Sequence, residues 1–468
     1  NLWKFYGAAL TWKLQSSNVR MWQSRVKEDR RMIYRYDELT QDQLYRLKHR
    51  SSSNILHDET FAKVSKVIEE VRKFGDRAIL AATKEFDRVD LVHIEVSDAE
   101  FEHAWNSLEP DIIESLKEAV QNHYEYNKRI SPPKLQIEQL GTGIFAGRKA
   151  VPLEKVGLYV PSGKGAYPSS FITIAVPAIV AGVPDIQVVV PPNPDGSVDA
   201  AILAVARILG IRKVFRGNGV ACIAAYTYGT ETIKKVDKIV GPGGPYIMAA
   251  QMKAQLEGVS VGLLYGPSEC MIIADDSADP ELVAADLINE AEHGMESSAI
   301  LLTNSITLAR NVEKAIREQL EFLPEFRRKY AEQSLYMNGG IILVKDMDQA
   351  VEVANDWGNE HIRIVTRDAW EVANRIHSAS ELLIGQHTTF SAISYAIGVP
   401  ACLPTGQFSK IYSGVAVDTY LRYSAVTQLD REGLQKLSRT IRTLAKYEGF
   451  PAHDRSIEIR KSKGILKE

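Results

Sequence analysis

The sequence predicts an α/β protein in which two parallel sheets, each covered by helices, lie between helical extensions at the two ends. Three observations point there. From residue 156 to about residue 405, short apolar runs alternate with longer stretches of helical pattern, the rhythm of strand–helix–strand units. Several of the runs close in turns rich in Gly and Pro, such as Arg216-Gly-Asn-Gly219 and Gly241-Pro-Gly-Gly-Pro245. The chain is 468 residues long and 45% hydrophobic, enough for more than one core.

Residues 1–27 carry five basic residues (Lys4, Lys13, Arg20, Arg25, Lys27) and no acid. Such a segment reads either as a transit-type leader or as an upstream translated stretch before Met21 or Met32. From Tyr36 to about Lys128 the pattern is helical, with an entry at Asp58 and apolar residues at Val64, Val67, Ile68 and Val71. Ser131-Pro-Pro-Lys134 ends it. Strands are expected at Val156–Val160, Ile186–Val190, Lys213–Phe215 and Lys238–Val240. A buried helix is expected from Ser169, in an apolar run too short to span a bilayer. The alternation resumes at Met271–Ala274, Ala299–Leu302, Ile341–Val344, Ile362–Val365 and Leu382–Ile384. After Thr405 the chain reads as helical and charged to its end.

Composition excludes some classes of function. A net charge of -3 with 25% charged residues gives no bulk attraction to nucleic acid or to an anionic membrane. Cys222, Cys270 and Cys402 lie far apart with no paired spacing, which predicts a reducing, cytoplasmic compartment rather than a disulfide framework.

Four places carry candidate chemistry. In Asp286-Leu-Ile-Asn-Glu-Ala-Glu-His293, Glu290 and His293 share one helix face, which suits a metal site, an acid/base pair or simply a solvated surface. Asn359-Glu360-His361 falls between a helix and a strand, on a connection at a sheet edge, where an adjacent Glu and His offer two proton-transfer groups or an idle surface pair. Pro161-Ser-Gly-Lys-Gly165, Arg216-Gly-Asn-Gly219 and Gly241-Pro-Gly-Gly-Pro245 each follow a strand and open a helix. None completes a dinucleotide or phosphate-loop motif, so each reads as a tight turn or, taken together, as one ligand-binding edge. Glu448 and His453 lie close together near the C-terminus.

Taken in order, Val156-Gly-Leu-Tyr-Val-Pro161, Val236-Asp-Lys-Ile-Val-Gly-Pro-Gly243, Gly266-Pro-Ser-Glu269, Glu290-Ala-Glu-His293, Asn359-Glu-His361, Leu403-Pro-Thr405 and Glu448 with His453 give a chain that resembles histidinol dehydrogenases over roughly residues 36–460. The resemblance implies oxidation of an amino alcohol to the amino acid in two NAD-dependent steps. It implies His361 as the base that deprotonates the alcohol and Glu360 as the acid/base that activates water. It further implies His293 and His453 as zinc ligands, Ser268 and Glu448 as substrate contacts, and a homodimer in which Glu448 and His453 come from the neighbouring subunit.

The chain departs from the family pattern in ways that alter these expectations. Glu290 stands where the family has Gln, and Ser394 where it has Asp. Glu290, His293 and His453 would still give zinc three protein ligands and an open position, with Ser394 left on the substrate side. Pro400-Ala401 replaces Asn-His and Thr389-Phe390 replaces Pro-Glu, which remodels the pocket for histidinol's imidazole and amine. At the cofactor positions Tyr159 is kept. Ala221 and Gly244 replace Gln and Asn, losing hydrogen bonds worth on the order of 1 kcal/mol apiece.

The expected architecture is two Rossmann-like domains: 51–158 with 268–410 as a discontinuous catalytic domain, and 159–267 as the second. An N-terminal arm (1–50) and a C-terminal helical domain (411–468) flank them. The leading expectation is zinc-assisted, NAD-dependent oxidation of a small polar alcohol other than histidinol. The alternative is redox-neutral acid/base or metal-assisted chemistry on the same scaffold. A third is a catalytically silent binding partner, against which the joint survival of Glu360, His361, His293, Glu448 and His453 argues.

Overall fold

The structure is a computed structural model that describes residues 32–49, 58–163, 165–262 and 265–466; the leader-like residues 1–27 and Lys164 lie outside them. The described strands run in chain order as β1 (Ile33–Arg35), β2 (Leu135–Gly141), β3 (Ile144–Pro152), β4 (Lys155–Tyr159), β5 (Asp185–Val190), β6 (Val214–Arg216) and β7 (Lys238–Val240). They continue as β8 (Ser260–Val261), β9 (Glu269–Ala274), β10 (Ser298–Thr303), β11 (Gly340–Leu343), β12 (His361–Val365), β13 (Glu381–Ile384) and β14 (Leu421–Leu429). Internal contacts divide the chain into two units. Among the described residues, one takes 32–49 with 265–392 and 403–414, and the other takes 58–163, 165–262, 393–402 and 415–466.

The first unit is built on a six-stranded sheet ordered β1-β11-β10-β9-β12-β13, with every pairing parallel. Every residue of β9, β10 and β12 is buried. Helices cover both faces of such a sheet, which explains the continuous apolar runs in place of alternation. The covering helices start where side chains cap their free N–H groups: Asp279 before Pro280–Ala291, Ser305 before Ile306–Leu320, Asp346 before Met347–Trp357 and Asp368 before Ala369–Arg375. A helix linking two parallel strands must run back against them. The C-terminal end of Pro280–Ala291 therefore returns to the edge where the strands begin.

The second unit holds a parallel five-stranded sheet ordered β6-β5-β4-β7-β8. The chain builds outward from β4 on both sides, so the topology reverses between β4 and β7. Gly157 on β4 is required by packing. A Cβ there would stand 2.6 Å from the ring of Tyr226, whose hydroxyl donates to Leu158 O. The expected buried helix is Pro168–Ala181, with Phe171 to Ala178 fully buried around Pro177. This unit also contains an antiparallel sheet ordered β14-β3-β2.

Three expectations need correction. Residues 58–158 pack with the second unit, because Asp58–Phe74 lies against the helices Gly219–Tyr228 and Pro245–Leu256 and β4 is the middle strand of that unit's sheet. Leu421–Leu429 is a strand within the segment read as helical to the end. It is held by β3, more than 260 positions earlier in the chain, a pairing no local pattern encodes. β1 was not foreseen, being a three-residue edge strand on β11. Among the described residues no helix is long and apolar enough to cross a membrane.

Candidate active site

In the first unit the candidate groups gather where the central strands begin. Gly358, at φ 62°, ends the helix Met347–Trp357 and turns the chain directly into β12. In the parallel register His361 pairs with Cys270 of β9 on one side and with Glu381 of β13 on the other. Open α/β sheets usually bind ligands beyond the C-terminal ends of their strands. This constellation occupies the opposite edge, which the sequence placed only as a sheet edge.

His361 and Glu360 are both almost fully buried. His361 Nδ1 donates to Glu381 Oε2 at 2.7 Å, while Nε2 stands 3.7 Å from Glu360 Oε1. The backbone N–H of Glu269 donates to Glu360 Oε2 at 3.0 Å. Phe390 packs edge-on against the imidazole, centroids 5.6 Å apart at 71°. Burial pushes the Glu360 carboxyl up to about 8, against the pull of His361 and with a further push from Glu290. For His361, burial acts downward, but Glu360, the bond to Glu381 and the charge of Glu290 outweigh it and carry the imidazole up to about 10. At 3.7 Å each group's charge acts on the other's proton affinity, so the two titrate as a pair.

The helix Pro280–Ala291 brings the second half. Glu290 is fully buried; among the described residues its Oε2 accepts no hydrogen bond, but it stands 3.2 Å from His293 Nδ1. The same nitrogen lies 3.1 Å from Ser268 Oγ, which leaves Nε2 as the other coordinating or proton-transferring atom. Burial raises the Glu290 carboxyl, but His293 and His361 pull it below its usual value. Glu290 in turn raises His293, with burial opposing. A buried carboxylate oxygen without a hydrogen-bond partner beside an imidazole fits a share of a divalent-cation site. Among the described residues no group of three or more His, Cys, Asp or Glu is arranged to hold a metal within the chain. His453 belongs to the other unit.

A buried ion pair ties the two halves together. Arg363, two residues beyond His361 on β12, pairs with Asp286, one helical turn before Glu290, and donates from Nη2 to Gln386 O at 2.9 Å. Asn289 of the same helix donates to Ser391 Oγ at 3.1 Å, beside Phe390. Glu381, Arg363 and Asp286 were not singled out by sequence. The available signals were an acid opening the run Glu381-Leu-Leu-Ile and an arginine inside His361-Ile-Arg-Ile-Val.

The remaining candidates lie in the second unit. Tyr159 ends β4 and is buried, which pushes its phenol up. A Cβ on Gly219 would stand 3.0 Å from the Tyr159 hydroxyl. Gly244 is the N-cap of Pro245–Leu256 and has open space where a side chain would be. Ala221 lies in the first turn of the helix Gly219–Tyr228. It is fully buried in the core, and Asn218 Oδ1 already accepts from its N–H at 3.3 Å. The three glycine-rich turns all sit past the C-terminal ends of strands in one sheet, two of them after β4 and β7, where the topology reverses. Ser394 is half-buried in the turn Ile393–Ile397. Glu448 caps the helix Arg431–Tyr447 and His453 lies in the first turn of Pro451–Ser462; both are exposed.

The family profile described as Histidinol dehydrogenase matches residues 50–461. A histidinol dehydrogenase of Synechocystis sp. is 41% identical over 437 residues, covering 93% of this chain and 99% of that protein. A "histidinol dehydrogenase homolog" of Colwellia psychrerythraea is 38% identical, covering 93% of this chain and 98% of its own length. The crystal structure of histidinol dehydrogenase from Elizabethkingia anophelis superposes with a TM-score of 0.87 at 30% identity, over 92% of this chain and 98% of that one.

Proposed function

The chain belongs to the histidinol dehydrogenase family, and on that footing we propose that it oxidises a small polar alcohol other than histidinol, with NAD and zinc. One observation carries the reading. Ser268, Glu290, His293, Glu360 and His361 converge at one edge of one sheet, with a buried carboxylate and imidazole side by side.

In this reading His361 takes the proton of the alcohol hydroxyl at Nε2, the nitrogen that Glu381 leaves free. Glu360, its proton affinity raised by burial, accepts a proton from the water that adds to the resulting carbonyl. Ser268, whose Oγ lies 3.1 Å from His293 Nδ1, would contact the substrate. Zinc held by Glu290 and His293, with His453 supplied by a second copy, would act as a Lewis acid on that oxygen. Bound NAD would supply the hydride acceptor for both oxidations, against Tyr159 and the turns after β4 and β7. The exposure of Glu448 and His453 on their own subunit suits residues given to a neighbour's site in a homodimer.

Phe390 supports a substrate other than histidinol. An apolar ring packs on His361 in the turn where the family carries Pro-Glu, so an amine near the reacting carbon loses a carboxylate partner. The test is a panel of polar alcohols with NAD on protein of measured metal content. NADH formation with members of the panel and none with histidinol is expected. Rapid turnover of histidinol would reject the substrate assignment, and absence of NAD binding would reject the oxidoreductase.

A second reading, redox-neutral chemistry at the same groups, is favoured by Ala221 and Gly244, which offer no polar side chain to a nucleotide. Turnover without added nucleotide separates the two.

A further inference from the structure

Glu381 opens β13, directly opposite His361 in the register with β12. Neighbouring residues on adjacent parallel strands point the same way, so the two side chains meet without any loop having to close over them. Both are about nine-tenths buried, and His361 Nδ1 donates to Glu381 Oε2 at 2.7 Å. A carboxylate in that position is costly unless a partner compensates it, and the imidazole is that partner. A neutral imidazole donating from Nδ1 must carry its lone pair on Nε2, the atom that stands 3.7 Å from Glu360.

We propose that Glu381 is a positioning residue for His361, fixing its orientation and tautomer so that Nε2 handles the substrate proton. The proposal rests on the role assigned to His361 above. The arrangement is that of a carboxylate behind a catalytic histidine, where the acid holds the ring and stabilises the imidazolium without accepting the proton itself. Phe390 limits tilting of the ring from one side. Other charged groups around the imidazole are Glu360, Glu290 and His293, so loss of Glu381 leaves the pocket charged but the ring unanchored at Nδ1.

The experiment compares Glu381→Gln, Glu381→Ala and His361→Gln in the full chain. It follows kcat, KM and the pH profile, together with imidazole nitrogen NMR of histidine-labelled protein, in which the His361 signal is the one missing from His361→Gln. Glu381→Gln keeps an acceptor but removes the charge. We expect its plateau kcat to fall about tenfold or more with KM nearly unchanged, and the acidic limb of its profile to move to lower pH. The His361 imidazole should titrate lower to match. Glu381→Ala should lose more activity and also the protected Nδ1–H resonance. If His361→Gln is inactive while Glu381→Gln keeps the wild-type kcat, limb and His361 titration, the positioning role is wrong and the reading of His361 stands. Undiminished turnover by His361→Gln would overturn both.

Discussion

The backbone N–H of Glu269 donates to Glu360 Oε2 at 3.0 Å, so the first residue of β9 holds the carboxyl that leads into β12. Neighbouring strands of one sheet thereby hold the Glu360 carboxyl and the His361 imidazole in place. Glu381 on β13 does for His361 what Glu269 on β9 does for Glu360.

Glu360→Gln keeps the shape and the hydrogen bond from Glu269 but cannot exchange a proton. Turnover should fall by about 10²- to 10⁴-fold with little change in KM. Thermal stability should hold or rise, since the amide removes a buried ionisable group. Steady-state kinetics beside a melting curve checks both.

The pH profile follows from His361. Neighbouring carboxylates hold its proton more tightly than the usual 6.5, so the base form becomes populated only as pH rises through the raised value. The rate should climb from neutral into the alkaline range, with its acidic limb well above pH 6.5. That limb belongs to the Glu360–His361 pair as a whole. A limb at or below pH 6.5 would remove His361 as the base.

Arg363→Met leaves Asp286 charged and buried without its partner. Urea unfolding should show a loss of about 3–5 kcal/mol. The double variant Arg363→Met with Asp286→Leu should recover much of it, because neither charge is then stranded. Equal losses in the single and double variants would show that packing, rather than charge pairing, is what the site needs.

His293→Ala should weaken zinc binding by more than the roughly 10- to 100-fold typical of losing an outer-shell partner. Removing metal from the wild-type chain with a chelator should abolish turnover, and added zinc should restore it. Full zinc content in His293→Ala, measured by elemental analysis, would take His293 out of the ligand set.

Much of the fold was legible because its strands are short, apolar and buried on both faces. Ile186–Val190 and Met271–Ala274 announce themselves without neighbours. Leu421–Leu429 did not, because six of its nine residues are exposed, none is buried, and its partner β3 lies far back in the chain. Glu290 with His293 and Glu360 with His361 were each visible as local pairs, through helix spacing and adjacency.

The sequence by itself determined the α/β rhythm, the family pattern and these two local pairs, since each is set by neighbours within one helical turn or one strand. Only the tertiary structure decided that both pairs meet at the starting edge of one sheet. It also decided that Glu381 backs His361, that Arg363 locks onto Asp286, and that Ala221 is core. These relationships depend on strand order, register and helix packing, which join segments from about twenty to about 150 residues apart.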